Sequence, residues 1–211
     1  MYTGSSWVTI ADDDGLPVAN GGTGSTTAAG ARQNLGTGLT KVIPTSVTYA
    51  GGSGTTTNGV AAFSSCTSVT MNGVFTTEFD NYVVKLVAGA STTPNLYIRL
   101  ASGGTPDTSS NWAWSVSQLT TSALGYLGGN GGVNYCQIGI IGTVANIGNG
   151  EVNIYSPALT AVKAIESRFS NGSTLYQSVG YMATTTARDG ITLLPASGNI
   201  TGTMTVFGYN K

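Results

Sequence analysis

The stretch Ile200-Thr-Gly-Thr-Met-Thr-Val-Phe-Gly-Tyr209 decides how the chain is read. A β-strand sends successive side chains to opposite faces. Here Ile200, Met204 and Val206 fall on one face, and Thr201, Thr203, Thr205, Phe207 and Tyr209 fall on the other. The same period of two recurs upstream. Tyr82, Val84 and Leu86 alternate with Val83, Lys85 and Val87, and Leu96, Ile98 and Leu100 alternate with Tyr97 and Arg99. Further strands are expected over 152–155, 162–169, 176–182 and 191–194. Turn signals fall at Gly103-Gly104, along Gly128 to Gly132, and at Asn149-Gly150, Asn171-Gly172, Asp189-Gly190 and Ser197-Gly198. Short strands at regular spacing with glycine turns predict an all-β fold, an antiparallel, jelly-roll-like β-sandwich over residues 44–211. No repeat of fixed period is present, which argues against a β-helix or propeller.

Composition narrows the function. Hydrophobic residues make up 40% of the 211, so a core can be buried, yet charged residues make up only 8%. Ordinary soluble domains carry roughly 25%. No apolar run approaches the ~20 residues of a membrane-spanning helix; the longest candidate, 138–147, is broken by Gly139, Gly142 and Asn146. Membrane insertion is therefore not expected, and residues 1–14 lack the basic and apolar regions of a signal peptide. A net charge of −1 argues against a nucleic-acid partner, which needs a basic surface. Thr, Ser, Gly and Asn supply the polarity instead. A weakly charged surface of this kind fits a chain locked into a closed oligomer.

Residues 1–43 read differently. Asp12-Asp13-Asp14-Gly15 forms a turn, Leu16-Pro17-Val18 is extended by its proline, and Asn20 to Gly24 makes a hinge. Ser25 or Thr26 then caps a short helix near 26–35, stopped at Gly36. Its apolar residues are mostly alanines, and Gly30 costs about 1 kcal/mol relative to alanine. Such a helix is marginal alone and needs a neighbour to fold against.

Residues 16–36, Leu-Pro-Val-Ala-Asn-Gly-Gly-Thr-Gly-Ser-Thr-Thr-Ala-Ala-Gly-Ala-Arg-Gln-Asn-Leu-Gly, resemble a segment that recurs in bacteriophage tail-fibre proteins. The C-terminal domain, over most of residues 75–211, resembles the distal sandwich of phage fibre and receptor-binding proteins. The matching pieces are Phe79-Asp80-Asn81-Tyr82, Leu96 to Leu100, Asn111-Trp112-Ala113-Trp114, Pro195 to Gly202, and Val206 to Tyr209. The resemblance implies a virion fibre protein, assembled in the bacterial host cytoplasm. It implies a homotrimer attached to other virion proteins through its N-terminal segment, with Leu16, Pro17, Val18, Arg32 and Leu35 as attachment residues. The sandwich would then point outward. The chain is short for a main tail fibre, which favours a short fibre, a tip or a decoration subunit.

Catalysis finds few residues to stand on. With no histidine the usual general base is absent. Glycan hydrolysis needs two carboxyl groups roughly 5–10 Å apart. The most suggestive pair is Glu78 and Asp80, placed at i, i+2 on one strand face; the plainer reading is a solvated strand start. Asp12-Asp13-Asp14 does not match a calcium loop. Cys66 and Cys136 are far apart in sequence and read as small core residues. No enzyme activity, catalytic residue, metal or cofactor is expected.

Binding has better candidates. Sugars are held on aromatic faces with amide and hydroxyl hydrogen bonds. Trp112 and Trp114 share a strand face beside a loop over 101–110; Tyr126 and Tyr135 bracket a loop over 127–134 that contains Asn130. These five residues are the expected receptor contacts, for a host-cell glycan or outer-membrane protein. The competing reading places the tryptophans in the core and the tyrosines at a subunit interface. On that reading the chain is a structural fibre or decoration subunit of tail, baseplate, neck or head. A cellular lectin or pilus-like adhesin is a third reading, disfavoured by the missing signal peptide.

Overall fold

The computed structural model describes residues 22–27, 30–31, 35, 38–145 and 147–210. They fall into two compact units, one reaching Thr40 and including Asn210, the other running from Lys41 to Tyr209.

In the first unit, Gly30 and Ala31 are helical. The Ala31 amide donates to the Thr27 carbonyl at 2.9 Å, and the Leu35 amide to the Ala31 carbonyl at 3.1 Å. The Gly30 amide donates to the Thr27 hydroxyl at 3.0 Å. Thr27 is therefore the cap, rather than Ser25 or Thr26, because a capping hydroxyl reaches the amide three residues on. Leu35 is exposed. Leu16, Pro17, Val18, Arg32 and the Asp12–Asp14 turn lie outside the described residues.

The strands are β1 (Leu39–Lys41), β2 (Ser46–Ala50), β3 (Ser53–Thr57), β4 (Val60–Cys66), β5 (Ser68–Asn72), β6 (Asn81–Ala90), β7 (Asn95–Ser102) and β8 (Thr105–Pro106). They continue as β9 (Trp112–Leu119), β10 (Leu124–Val133), β11 (Cys136–Ile140), β12 (Gly148–Tyr155), β13 (Lys163–Ser170), β14 (Leu175–Met182), β15 (Gly190–Pro195) and β16 (Ile200–Tyr209). The second unit is all-β, with antiparallel sheets in a sandwich-like arrangement. The larger sheet runs β10–β9–β14–β13–β12–β6–β16–β4–β3; the smaller runs β11–β7–β15–β5–β2, with β8 paired to β7.

Alternation builds the core, as expected. Ile200, Met204 and Val206 are buried, and Leu96, Ile98 and Leu100 are buried on β7. They join Trp112, Val116, Ile138, Val152, Ile154, Ile165 and Phe169 in one hydrophobic cluster. Cys66 and Cys136 are buried free thiols. A register shift in β11 between Gln137 and Gly139 breaks the ladder there. Buried serines satisfy the displaced carbonyls: Ser178 donates to Gln137 at 2.6 Å and Ser167 to Ile138 at 3.2 Å. An unpaired buried carbonyl would cost about 1–3 kcal/mol, so these bonds hold the sheets in one alignment. Lys163 is fully buried, its ammonium donating to the carbonyls of Leu159, Ala161 and Thr184.

Two expected turns are strands. Gly128 to Gly132 lies within β10, and Asn149-Gly150 lies within β12. At Gly150 a Cβ would sit 2.2 Å from the Arg168 carbonyl, so the glycine permits close strand approach rather than a turn. Glu78 and Asp80 precede β6 instead of sharing a strand face.

Candidate binding surface

β9 directs Trp112, Trp114 and Val116 inward, and the three differ in depth. Trp112 is 1% exposed and belongs to the core, so it does not reach the surface. Trp114, two residues nearer the middle of β9, is half-buried against the same cluster. The Asn134-Tyr135 link between β10 and β11 brings Tyr135 beside it. Their ring centroids are 6.3 Å apart at 34°. Tyr135 also stacks on Tyr97 of β7, with centroids 4.0 Å apart and planes 20° apart.

Polar groups fix this aromatic cluster. Arg99 donates through Nε to the Asn134 carbonyl at 2.9 Å and through Nη2 to Asn134 Oδ1 at 3.1 Å. A planar guanidinium holding two acceptors of one residue is a rigid clamp, and it sets the position of the Tyr135 ring. Asn95 Nδ2 donates to the Tyr97 hydroxyl at 3.3 Å. Burial, and then the neighbouring Tyr97 phenol, push the Tyr135 hydroxyl above its ordinary value, with Arg99 opposing. The Tyr135 phenol therefore stays protonated at neutral pH and can donate. The indole N–H of Trp114 is buried without a partner.

The structure thus brings together two of the five expected receptor residues, Trp114 and Tyr135, with a third beside them. Asn130 is exposed and pairs with Trp114 in the β10–β9 register. Tyr126 pairs with Ser117 on the outward face of the larger sheet and is 70% exposed. The expected loop over 127–134 is mostly strand, and the segment over 101–110 is the end of β7 followed by the short β8. Sequence reasoning missed Tyr97, Arg99, Asn95 and Asn134. The signal was present: the alternation that buries Leu96, Ile98 and Leu100 turns Asn95, Tyr97 and Arg99 to the other face of the smaller sheet.

The carboxylates are dispersed. Glu151 pairs with Lys85, Glu166 accepts from the Tyr155 hydroxyl at 3.1 Å, and Asp189 accepts from the Gly103 amide at 3.0 and 3.1 Å. Asp107 pairs with Arg188. Burial alone would raise the Asp107 carboxyl; Ser109 and Arg188 outweigh it and hold the group below its ordinary range. Among the described residues no three potential metal ligands cluster. Aromatic rings, amides and a guanidinium at one edge of a sandwich are suited to holding a sugar ring.

No family model and no curated protein matches the chain. Among solved structures, a bifunctional GH43-CE protein of Bacteroides eggerthii is similar at TM-score 0.34 and 6% identity, over 72% of this chain and 22% of that one. The chain thus spans about a fifth of that protein's length. A putative glycosyl hydrolase from Parabacteroides distasonis gives TM-score 0.33 and 9% identity, over 80% of this chain and 98% of that one. Murine APRIL gives TM-score 0.20 and 6% identity, over 81% and 98%. Likenesses this slight carry no functional argument.

Proposed function

We propose that the chain is a bacteriophage virion fibre protein whose sandwich binds a host-cell surface glycan during adsorption, without catalysis. The observation that carries the binding half is the Trp114–Tyr135–Tyr97 cluster, clamped by Arg99 and flanked by Asn95, Asn130 and Asn134. Prepositioned rings lose little conformational entropy when a sugar stacks on them. The virion half rests on the resemblance of residues 16–36 to tail-fibre segments. On this reading the N-terminal segment attaches to other virion proteins and the chain trimerises. Several weak sites on one particle then raise avidity by about 10²–10⁴ over a single site.

A panel of bacterial strains incubated with the fluorescently labelled chain tests the proposal. Labelling of some strains, reduced by Tyr135→Ala and by Arg99→Ala in folded variants, is expected; no labelling of any strain contradicts it.

A second reading, a structural fibre or decoration subunit, is favoured by one feature. Leu124, Leu119 and Leu175 lie side by side in register at a corner of the larger sheet, and Leu124 is 76% exposed. An apolar corner of this kind suits a protein contact within a particle.

A further inference from the structure

The face of the larger sheet that looks away from the core carries a row of side chains the edge cluster does not use. The register runs from Tyr126 on β10 through Ser117, Gln177, Arg168, Glu151 and Lys85 to Thr205 on β16. Directly paired residues share a face, and strands stand about 4.8 Å apart, so the row crosses the sheet strand by strand. Surface hollows lie along it and beside it. One of about 470 Å³ is lined by Lys85, Asn149, Glu151 and Arg168, and another of about 360 Å³ by Ala113, Ser115, Val179 and Tyr181.

The charges on this face are unevenly used. Lys85 pairs with Glu151, and Glu166 is engaged by Tyr155. Arg168 is exposed, and no hydrogen bond or ion pair engages its guanidinium among the described residues. At the β10 end, a Cβ on Gly129 would lie 2.4 Å from the Tyr126 hydroxyl. The Tyr126 ring is therefore laid along its own strand over a residue with no side chain, and its other side is open to solvent.

We propose that this row is a binding track for an acidic polysaccharide, with Arg168 receiving a sugar carboxylate and Tyr126 stacking on a ring at the β10 end. The proposal rests on the glycan-binding reading above and adds to it a second site and a ligand class. A guanidinium meets a carboxylate with two parallel charge-assisted hydrogen bonds, and an open aromatic face takes the apolar side of a sugar. The hydroxyl of Ser117 and the amide of Gln177 stand between the two and match sugar hydroxyls. A second copy of the chain is the poorer occupant. The face carries Lys85, Glu151 and Glu166, and lysine and glutamate are depleted from protein–protein interfaces.

The test is native affinity electrophoresis of the full chain in gels containing alginate, a polyuronate, or dextran, a neutral glycan. Alginate should retard the protein and dextran should not. Arg168→Gln should weaken the alginate effect about tenfold or more, as loss of a charged hydrogen-bond pair implies, and about 0.5 M salt should weaken it too. Thermal melting confirms that each variant is folded. Equal retardation by dextran, no retardation by alginate, unchanged binding by Arg168→Gln, or dissociation of an oligomer by Arg168→Glu would each overturn the proposal. Strains labelled without alginate retardation sink the track alone; alginate retardation without any labelled strain sinks the cell-surface reading alone.

Discussion

The phenolic oxygen of Tyr82 lies 2.7 Å from both the amide nitrogen and the carbonyl oxygen of Thr76, accepting from the first and donating to the second. Phe75 and Phe79 meet the same ring edge-on, with centroids at 4.9 and 5.8 Å. The turn that delivers the chain into β6 is thereby fixed by a fully buried side chain. Tyr82→Phe keeps the ring and leaves two Thr76 backbone groups unpaired. It should cost about 1–3 kcal/mol, read as a lower thermal midpoint; a variant melting with the wild type would show that these bonds contribute nothing.

Gly202 of β16 faces β6 so closely that a Cβ would stand 2.0 Å from the Val87 carbonyl oxygen and 2.8 Å from the Ala88 Cα. Backbone cannot yield as a flexible side chain can. Gly202→Ala should destabilise by about 1–3 kcal/mol or more. At Gly125 the nearest atoms to an added Cβ are Gln118 side-chain atoms at 3.5 Å, so Gly125→Ala is the tolerated control. Denaturant titration of the pair checks the contrast.

Burial pushes the Cys136 thiol from 9.0 up to about 12, against the opposing hydrogen bond of Ser178. An unfolded thiol releases its proton near pH 9, whereas the folded one keeps it until about pH 12. Between these values the native state holds more protons than the unfolded state, so stability falls as pH rises, by up to about 1.4 kcal/mol per pH unit. Below that window the contribution is constant. Comparing unfolding at about pH 8 and about pH 10.5, the wild type should lose roughly 2 kcal/mol more than Cys136→Ala. Parallel losses would mean the thiol ionises freely in the fold.

Light scattering of the purified chain should return three times the chain mass. A stable monomer at micromolar concentration would remove the trimer from the account and, with it, the avidity of three sites per fibre.

The sheet architecture was legible because alternation is a direct consequence of burial on one face: β6, β7, β12, β13, β14, β15 and β16 all lie where period-two patterning places strands. Glycine misled the reading in two places. Gly128 to Gly132 and Gly150 look like turns in isolation, yet they sit in strands; at Gly129 the Tyr126 hydroxyl and at Gly150 the Arg168 carbonyl occupy the space a Cβ would need, while Gly128 and Gly132 have open space beside them. The depth of Trp112 against Trp114 was not legible either. Both point inward, and alternation alone does not distinguish a core tryptophan from one at the margin of the sandwich. Tyr97 and Arg99 escaped notice because their partners, Tyr135 and Asn134, are distant in sequence and are joined to them by the β11–β7 pairing.

Glycan-array binding by the full chain, set against Trp114→Ala and Tyr135→Ala, bears most directly on the central claim that the aromatic edge cluster is a receptor site. The wild type should bind a restricted set of glycans, and both folded variants should lose that signal. An array silent for the wild type, or equally bright for the variants, would contradict it.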